Sequence, residues 1–351
     1  MRETEPLVHY KQILTFLILT NSILFAQHFP NPKVDSLIIK GIDFIITQHY
    51  SDANRIFNKL DENYPLLPFG KIYLAAVSIA KTADYQDSLK VNYIDNYLNK
   101  AMDLSERLLD SNESNIWNNY FLALTFAYSA YFEVLKQNYL SAFKEGFQSL
   151  QYYKRCAKID SNFYEVYLAI GIYKYWKSAK LKAISWLPFV KDNRKEGIKL
   201  LRSTVNHFTY NKYLAVNSLL WIYIDQKKYG EAVKLSLNAL KKYPNSRFFM
   251  WGLARAYEGI DKQKAVKIYS KILTSLKKEG KLFPVNSVIL KHKIAMLLFD
   301  EKHYSDALEL INQILSINKI SDYNLKKVEE RIVRVKKLKE EILEVLASET
   351  K

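Results

Sequence analysis

Residues with the chemistry to catalyse a reaction or to hold a metal are few in this chain of 351 residues, and they follow no catalytic spacing. Six histidines are scattered along the sequence, and Cys156 is the single cysteine. There is no His-Glu-x-x-His pair, no glycine-rich phosphate loop and no Cys-x-x-Cys. Cys156 falls in a helical run where a small core residue is expected, so its thiol should be buried and unactivated. We therefore expect no catalytic, cofactor or metal site.

The other titratable clusters have structural interpretations. Residues 329–330 and 340–341 are Glu-Glu pairs interleaved with Lys and Arg, which is typical of a solvated helix face with ion pairs four residues apart. His49 and His303 occupy matching turn positions, where a structural role is favoured over metal binding. The match between these two turns indicates how the whole chain is organised.

A five-residue motif recurs along the sequence. Residues 49–53, His-Tyr-Ser-Asp-Ala, return unchanged at 303–307, and residues 228–232, Lys-Tyr-Gly-Glu-Ala, are an altered third copy. Each copy lies between two apolar runs with helical periodicity, so the motif predicts the turn and the start of the second helix of a repeated hairpin.

Fixed offsets from the alanine of this motif resemble the tetratricopeptide repeat, a helix-turn-helix unit of about 34 residues. Gly41 lies twelve residues before Ala53 and Pro65 twelve after it, and Pro244 lies twelve after Ala232. In that repeat, small residues lie where the two helices cross, because a large side chain there would hold the helix axes apart. Other positions that fit the pattern are Gly171, Gly197 and Ala307.

The predicted fold is all-α, a right-handed α-α superhelix of about seven tetratricopeptide-like hairpins with a C-terminal capping helix. The sequence has only nine Gly and eight Pro, fewer turn-forming residues than the many turns of a β protein would need. The hairpins should form one array over 27–320, in which each repeat buries its faces against its neighbours. Residues 321–351 should hold the capping helix and the tail, because Val328, Ile332, Val335 and Leu338 follow helical spacing.

Residues 1–26 are predicted to be a cleavable signal peptide. Ile13–Ala26 is an apolar run too short to span a bilayer comfortably, Arg2 and Lys11 precede it, and it ends in an acceptable cleavage site. Glu3 and Glu5 are unusual in such a segment, and a buried helix of the fold is the alternative. A single cysteine excludes an intrachain disulfide and favours a bacterial periplasm. No cysteine follows the apolar run, so no lipoprotein anchor is expected.

Positive charge is concentrated between residues 174 and 202, although the formal net charge of +16 can also reflect solvated surface. An irregular loop, 180–192, interrupts the hairpin there and clusters apolar side chains that are costly to leave in water. It is either folded back on the array, or a contact for a partner or an anionic membrane. Its candidate contact residues are Lys180, Lys182, Trp186, Leu187, Phe189, Lys191 and Arg194. Residues 171–197 also bear a faint likeness to the eukaryotic outer-mitochondrial-membrane repeat family linked to inclusion-body clearance, which carries no known chemistry.

The resemblance to tetratricopeptide repeats implies that a partner is held on the concave face, which the first helices line. The family's ligand-facing offsets select Tyr175, Asn217, Trp221, Ile224, Trp251, Arg255, His292, Lys293 and Met296. Aromatic and arginine side chains are typical anchors of such a groove. The alternative is that Trp221 and Trp251 pack between adjacent hairpins. The Lys, Asn and Arg clamp of chaperone-tail-binding members is not recognisable at matching offsets.

The sequence therefore favours a non-enzymatic scaffold that binds a protein or peptide in the bacterial cell envelope. A peripheral membrane adaptor that uses loop 180–192 on anionic lipid is the first alternative. A polyanion or nucleic-acid binder is suggested by charge alone, and export argues against it.

Export generates a direct prediction. The mature chain isolated from its native host should begin at Gln27, because the apolar run ends at Ala26. Intact-mass measurement checks this, and a mass that retains residues 1–26 would contradict both cleavage and the periplasmic location.

Overall fold

The structure, a computed structural model, describes residues 28–180, 191–317 and 320–349, and the predicted signal peptide lies outside them. The described residues form fifteen α-helices, one short 3-10 helix at Tyr164–Val166, and no β-strand. In chain order the helices are α1 (Pro32–Ile46), α2 (Tyr50–Asn63), α3 (Pro68–Tyr85), α4 (Val91–Ser111), α5 (Ile116–Leu135), α6 (Tyr139–Ile159), α7 (Tyr167–Lys180), α8 (Arg194–Asn206), α9 (Lys212–Asp225), α10 (Tyr229–Lys242), α11 (Arg247–Tyr257), α12 (Lys262–Lys278), α13 (Pro284–Asp300), α14 (Tyr304–Leu315) and α15 (Asp322–Glu349).

Consecutive helices pair into seven hairpins, and α15 follows the last of them. The predicted all-α fold of tetratricopeptide-like hairpins with a capping helix is confirmed. Helix α15 packs on α13 and α14, where Val328 and Val335 join the apolar core of Ala295 and Ala307. None of the described helices has both the length and the apolar content that crossing a membrane requires.

One turn geometry joins the two helices of the first, third, fifth and seventh hairpins. The second residue beyond the end of the first helix adopts positive φ, with 61° at Gln48, 63° at Gln137, 57° at Lys227 and 63° at Lys302. The next residue donates its N–H to a carbonyl five residues earlier, at 2.8 to 2.9 Å in all four turns. This is the hydrogen bond of a Schellman motif, which satisfies a carbonyl at the end of the helix.

The recurring motif therefore has a fourth copy that the sequence comparison missed. Residues 138–142, Asn-Tyr-Leu-Ser-Ala, form the same turn at the start of α6. In each copy the second helix begins at the tyrosine, and the alanine that follows is buried in three of them, at Ala53, Ala232 and Ala307.

Small residues allow the paired helices to approach closely. A Cβ on Gly41 would lie 2.2 Å from Cζ of Phe57, and a Cβ on Gly171 would lie 2.8 Å from the carbonyl oxygen of Gly197. The backbone at Gly197 cannot move aside, so the crossing at Gly171 needs glycine, whereas a Cβ on Gly41 would have to displace the ring of Phe57. Pro65 and Pro244 each lie two residues beyond the end of a second helix, α2 and α10 respectively, where the chain leaves its hairpin.

The chain divides into two compact units, each made of separated segments. Unit 1 comprises the residues up to Ile42, with Arg55–Leu74 and Asp95–Ala215. Unit 2 comprises Asp43–Asn54, Ala75–Ile94 and the residues from Val216 onward. Each unit therefore combines parts of the first two hairpins with later ones.

Unit 1 is built around aromatic rings from distant parts of the chain. The ring of Phe29 lies 5.4 Å from that of Phe69 and 5.3 Å from that of Trp117, and Trp117 lies 5.1 Å from Phe163. Edge-to-face contacts of this kind add to the free energy gained by burying the rings. The hydroxyl of Tyr210 receives a hydrogen bond from the N–H of Phe29 at 2.9 Å, so the start of the described chain is tied to this core.

A buried carboxyl group lies beside these rings. Glu165 is 1% exposed, and its side chain accepts hydrogen bonds from the amide of Asn211 at 2.9 Å and from the backbone N–H of Tyr210. Burial raises the pKa of Glu165 to about 8, because the low-dielectric interior disfavours the carboxylate more than these donors stabilise it.

Unit 2 contains a buried ion cluster around Arg247, the first residue of α11. Its Nε and Nη2 donate to the two carboxylate oxygens of Asp84 at 3.0 and 2.7 Å. Its Nη1 donates to the hydroxyl of Ser275 at 2.7 Å and to the carboxylate of Glu279. The backbone N–H of Arg247 donates to the side-chain oxygen of Gln48 at 3.0 Å. A guanidinium group satisfies two carboxylates at once because its donors point in fixed directions.

These contacts correct the expectation that each hairpin packs only on its neighbours. Within unit 2, the segment between α10 and α11 holds residues of the first hairpin: Ser246 donates to the carbonyl oxygen of Ile46 at 2.7 Å, and Tyr243 donates to Asp43. Asn286 of the seventh hairpin donates to the carbonyl of Asp84 at 2.8 Å. Buried polar groups must be paired, so these long-range partners fix the position of the early hairpins in this unit.

The arginine cluster predicts a large loss of stability on truncation. Arg247→Ala should lower the free energy of unfolding by roughly 3–5 kcal/mol, because it leaves the nearly buried Asp84 without its counter-charge. Chemical denaturation followed by circular dichroism measures this. The matched control is Arg155→Ala, whose partner Glu113 is exposed, so that change should cost about 0–1 kcal/mol. Similar costs for both variants would contradict the role assigned to Arg247.

Glu165 predicts a pH dependence of stability. Its folded-state pKa of about 8 exceeds its ordinary value of 4.5, so the folded chain binds the proton more tightly than the unfolded chain. The contribution of this tighter proton binding to the free energy of unfolding is fully present below pH 4.5 and is lost as the pH rises to about 8. Glu165→Gln should therefore flatten the fall in stability between pH 5 and 8 and stabilise the chain by a few kcal/mol at pH 8. Denaturation at several pH values tests this, and the exposed Glu106→Gln control should keep the parent slope.

Candidate functional site

The predicted contact residues of unit 2 lie on the first helices of the last three hairpins, α9, α11 and α13. Helices α9 and α11 pack so closely that a Cβ on Gly252 would lie 1.9 Å from a methyl carbon of Leu220. Trp221 and Trp251 are the immediate sequence neighbours of these two residues. Trp221 is 37% exposed, and Trp251 is half-buried with its ring 5.8 Å from that of Tyr269.

Glu258, directly after α11, holds the polar part of this surface together. Its carboxylate accepts hydrogen bonds from Nζ of Lys293 at 2.8 Å, from the hydroxyl of Tyr269, and from Arg255. Burial opposes its ionisation, but the bonds from Lys293 and Tyr269 and the charges of Lys293 and Arg255 outweigh burial and lower the pKa of Glu258. The ammonium group of Lys293 also lies 5.3 Å from the centre of the Tyr269 ring.

The capping helix adds a further cation. Nη1 of Arg331, on α15, lies 3.0 Å from Nδ1 of His292 on α13. Burial, together with the charges of Arg331, Arg334 and Lys293, lowers the pKa of His292 to about 4. The imidazole is therefore neutral at physiological pH and accepts a hydrogen bond from Arg331. His292 positions this arginine instead of carrying charge itself.

We name this surface the Glu258 face, and define it by Trp221, Trp251, Arg255, Glu258, Lys293, Met296 and Arg331. Three cations accompany one carboxylate, so the face has excess positive charge. Trp221, Met296 and Arg255 are exposed at its edge. Fixed cations next to exposed aromatic and thioether groups can bind an acidic segment that also carries apolar side chains.

The structure places the other predicted contact residues elsewhere. Tyr175 is fully buried in unit 1, within the α7–α8 hairpin, and Ile224 is buried with Leu220 and Ala232 in the core of unit 2. Tyr175, Ile224 and His292 were predicted to lie on a contact surface, and their burial corrects this. Repeat offsets do not show which side chains are buried inside the packed hairpins. Asn217 is half-buried on α9, and its Oδ1 has no hydrogen-bond donor among the described residues.

The sequence reasoning did not identify two residues of the Glu258 face, Glu258 and Arg331, or the supporting residue Tyr269. Glu258 lies in the turn after α11, Tyr269 on a second helix and Arg331 on the capping helix, whereas the family's offsets select first helices only. The excess of basic residues in the sequence does not mark these positions. A pattern that could have found Glu258 is its spacing of three residues from Arg255, which allows an ion pair on one helical face.

The predicted loop contact, 180–192, is described only at its ends. Lys180 and Lys191 are exposed, and Arg194 pairs with Asp192 at 2.6 Å. The N–H of Asn193 donates to the hydroxyl of Ser178 at 2.9 Å, so the two ends of the loop are tied together. Lys182, Trp186, Leu187 and Phe189 lie outside the described residues.

Cys156, the single cysteine, is buried, and burial raises the pKa of its thiol to about 12. The described residues contain no cluster of three or more His, Cys, Asp or Glu side chains that could hold a metal.

No protein-family model and no curated protein sequence matches this chain. Among solved structures, it is similar to the C-terminal part of a TPR repeat-containing protein from Cytophaga hutchinsonii, at 17% identity and a TM-score of 0.39, covering 83% of this chain and 99% of that one. It is also similar to the human IFIT1 dimer with m7Gppp-AAAA, at 10% identity and a TM-score of 0.44, covering 84% of this chain and 65% of that one. Yeast Tom70 is similar at 12% identity and a TM-score of 0.36, covering 87% of both chains. At these scores the likenesses transfer no partner or ligand to this chain.

Proposed function

We propose that this chain is a non-enzymatic scaffold of the bacterial cell envelope, and that the Glu258 face binds an acidic segment of a protein partner. The observation that carries the proposal is the sharing of Glu258 by Arg255, Tyr269 and Lys293, which holds two cations in place at the end of α11. Trp221, on the adjoining helix α9, is exposed. Cations fixed before binding lose less conformational entropy when a carboxylate arrives.

Two features of the face support a peptide over a small molecule. Its contact groups are distributed over α9, α11, α13 and α15, as an extended ligand would require. Its apolar members, Trp221 and Met296, are exposed, and Met296 lies about one helical turn from Lys293 on α13. The apolar run before Gln27 supports a location in the cell envelope. An exported chain would meet no intracellular nucleic acid, which favours a protein partner over a nucleic acid.

Binding should depend on the individual cations of the face. The probe is a fluorescein-labelled peptide of alternating Glu and Leu residues, and a peptide of alternating Lys and Leu residues is its control. Arg255→Gln should weaken binding of the acidic peptide about tenfold, because a fixed counter-charge is lost. Fluorescence anisotropy at constant ionic strength measures the affinity.

The matched variant is Lys241→Gln, which removes one exposed charge from the same unit at α10. It should change the affinity by less than about twofold. Equal losses for both variants would show that only net charge matters, and absence of acidic-peptide binding would also contradict the proposal. Tighter binding of a single-stranded RNA oligonucleotide would favour the polyanion-binding alternative.

A further inference from the structure

The turn of the third hairpin, between α5 and α6, carries an apolar residue that the repeated turn does not require. Leu140 follows the tyrosine that begins α6, and the equivalent positions in the first, fifth and seventh hairpins are Ser51, Gly230 and Ser305. All four positions are exposed. Because the same turn forms with serine or glycine, folding does not explain the leucine.

Leu140 belongs to a continuous exposed apolar surface. Leu140 is 82% exposed, Phe143 74% and Phe147 49%, and spacings of three and four residues place them on one face of α6. Tyr131, Val134 and Tyr139 are exposed around the same turn. Contiguous apolar surface of this kind on a soluble chain commonly marks a contact with a partner or a membrane.

The hairpin that presents these side chains is firmly packed. Ser149 donates to the carbonyl of Ala123 at 2.8 Å, and the rings of Phe126 and Tyr152 stack at 5.9 Å. The N–H of Asn138 donates to the carbonyl of Glu133 at 2.9 Å and closes the turn. The apolar side chains are therefore held outward by an ordered support.

The exposed face of α6 changes from apolar to basic along its length. Beyond Phe147 it continues through Gln151 to Lys154 and Lys158, all exposed. The ammonium groups of Lys154 and Lys177 lie 5.8 and 5.4 Å from the centre of the Tyr173 ring. A helical rise of about 1.5 Å per residue places Lys154 roughly 10 Å from Phe147 along the axis. The basic groups are therefore separated along α6 from the apolar side chains, and both are exposed.

We propose that this end of the third hairpin, formed by Tyr139, Leu140, Phe143 and Phe147, inserts into the interface of an anionic phospholipid bilayer, with Lys154 and Lys158 at the headgroups. Side chains this exposed have no walls of their own chain around them, so they offer no groove to a protein ligand. A fluid bilayer needs no matching shape, and lysines above the inserted face are attracted to anionic lipid.

The acidic residues near the turn oppose this contact only weakly. Glu133 pairs with Lys136 at 2.5 Å, so its charge is compensated. Burial raises the pKa of Glu145, and the positive charge of neighbouring Lys144 partly compensates the charge of its carboxylate. This surface belongs to unit 1, and the Glu258 face belongs to unit 2, so either proposal can fail without the other.

The test places an environment-sensitive fluorophore at the turn of the full-length chain. Leu140→Cys accepts the label, because the native Cys156 is buried with the pKa of its thiol raised to about 12. Leu66→Cys, at a side chain 74% exposed in the same unit, is the control label. Each protein is mixed with vesicles of phosphatidylcholine alone, or with about one-third phosphatidylglycerol.

The probe at position 140 should shift its emission to the blue with the anionic vesicles, and the probe at position 66 should not. Adding Phe143→Ser and Phe147→Ser to the labelled chain should weaken the vesicle titration by about tenfold or more. Adding Phe208→Ser and Ile260→Ser, which change two other exposed side chains, should leave the titration within twofold. Higher salt should weaken binding, since it screens the lysines.

Three results would overturn the proposal. One is a probe at position 140 that gives no shift with either vesicle. Another is a pair of equal shifts at positions 66 and 140, which would report non-specific adsorption or a contact made by another part of the chain. The third is a shift at position 140 without vesicles that grows with protein concentration, which would assign this face to contact between two copies of the chain.

Discussion

The buried guanidinium of Arg247 is the constraint on which the arrangement of unit 2 depends. A charged group that is 1% exposed must have counter-charges and hydrogen-bond acceptors close by, because water no longer solvates it. Asp84 comes from the second hairpin and Glu279 from the sixth, and both carboxylates contact the same guanidinium. Helical hairpins that would otherwise meet only their neighbours are thereby held in one cluster.

The Glu258 face is a consequence of this packing. Arg247 begins α11, and the same helix carries Trp251 and Arg255 before Glu258 follows it. Glu279 follows α12, which carries Tyr269, so the ion cluster fixes the two helices whose side chains meet at Glu258. The cations of the face are thus held by a carboxylate whose own position is set by buried contacts.

The two proposed contact surfaces differ in how they arise from the repeat. The Glu258 face uses side chains on several helices, and it exists only once those helices are packed. The apolar surface of the third hairpin uses neighbouring positions on one helix, α6. It differs from the equivalent positions of the other hairpins by substitution alone, because Leu140 stands where Ser51 and Ser305 stand elsewhere. A repeat fold tolerates both, since exposed positions change with little effect on the packed crossings.

The sequence by itself determined the hairpins, because their signals are local. The Schellman turns close between residues five apart, and Gly171 meets Gly197 across a single hairpin, so the motif and its offsets predicted the repeated hairpins and the fold class. The helical spacing of apolar residues within 321–351 predicted the capping helix. The fourth copy of the motif was missed because Leu140 and Ser141 stand where the other copies have a small residue followed by Asp or Glu. Only the tertiary structure decided the partners of Arg247, which lie up to 199 residues away. It alone also decided the burial of Tyr175 and His292 and the sharing of Glu258. Such contacts depend on how packed helices meet in space, and no fixed spacing along the chain encodes them.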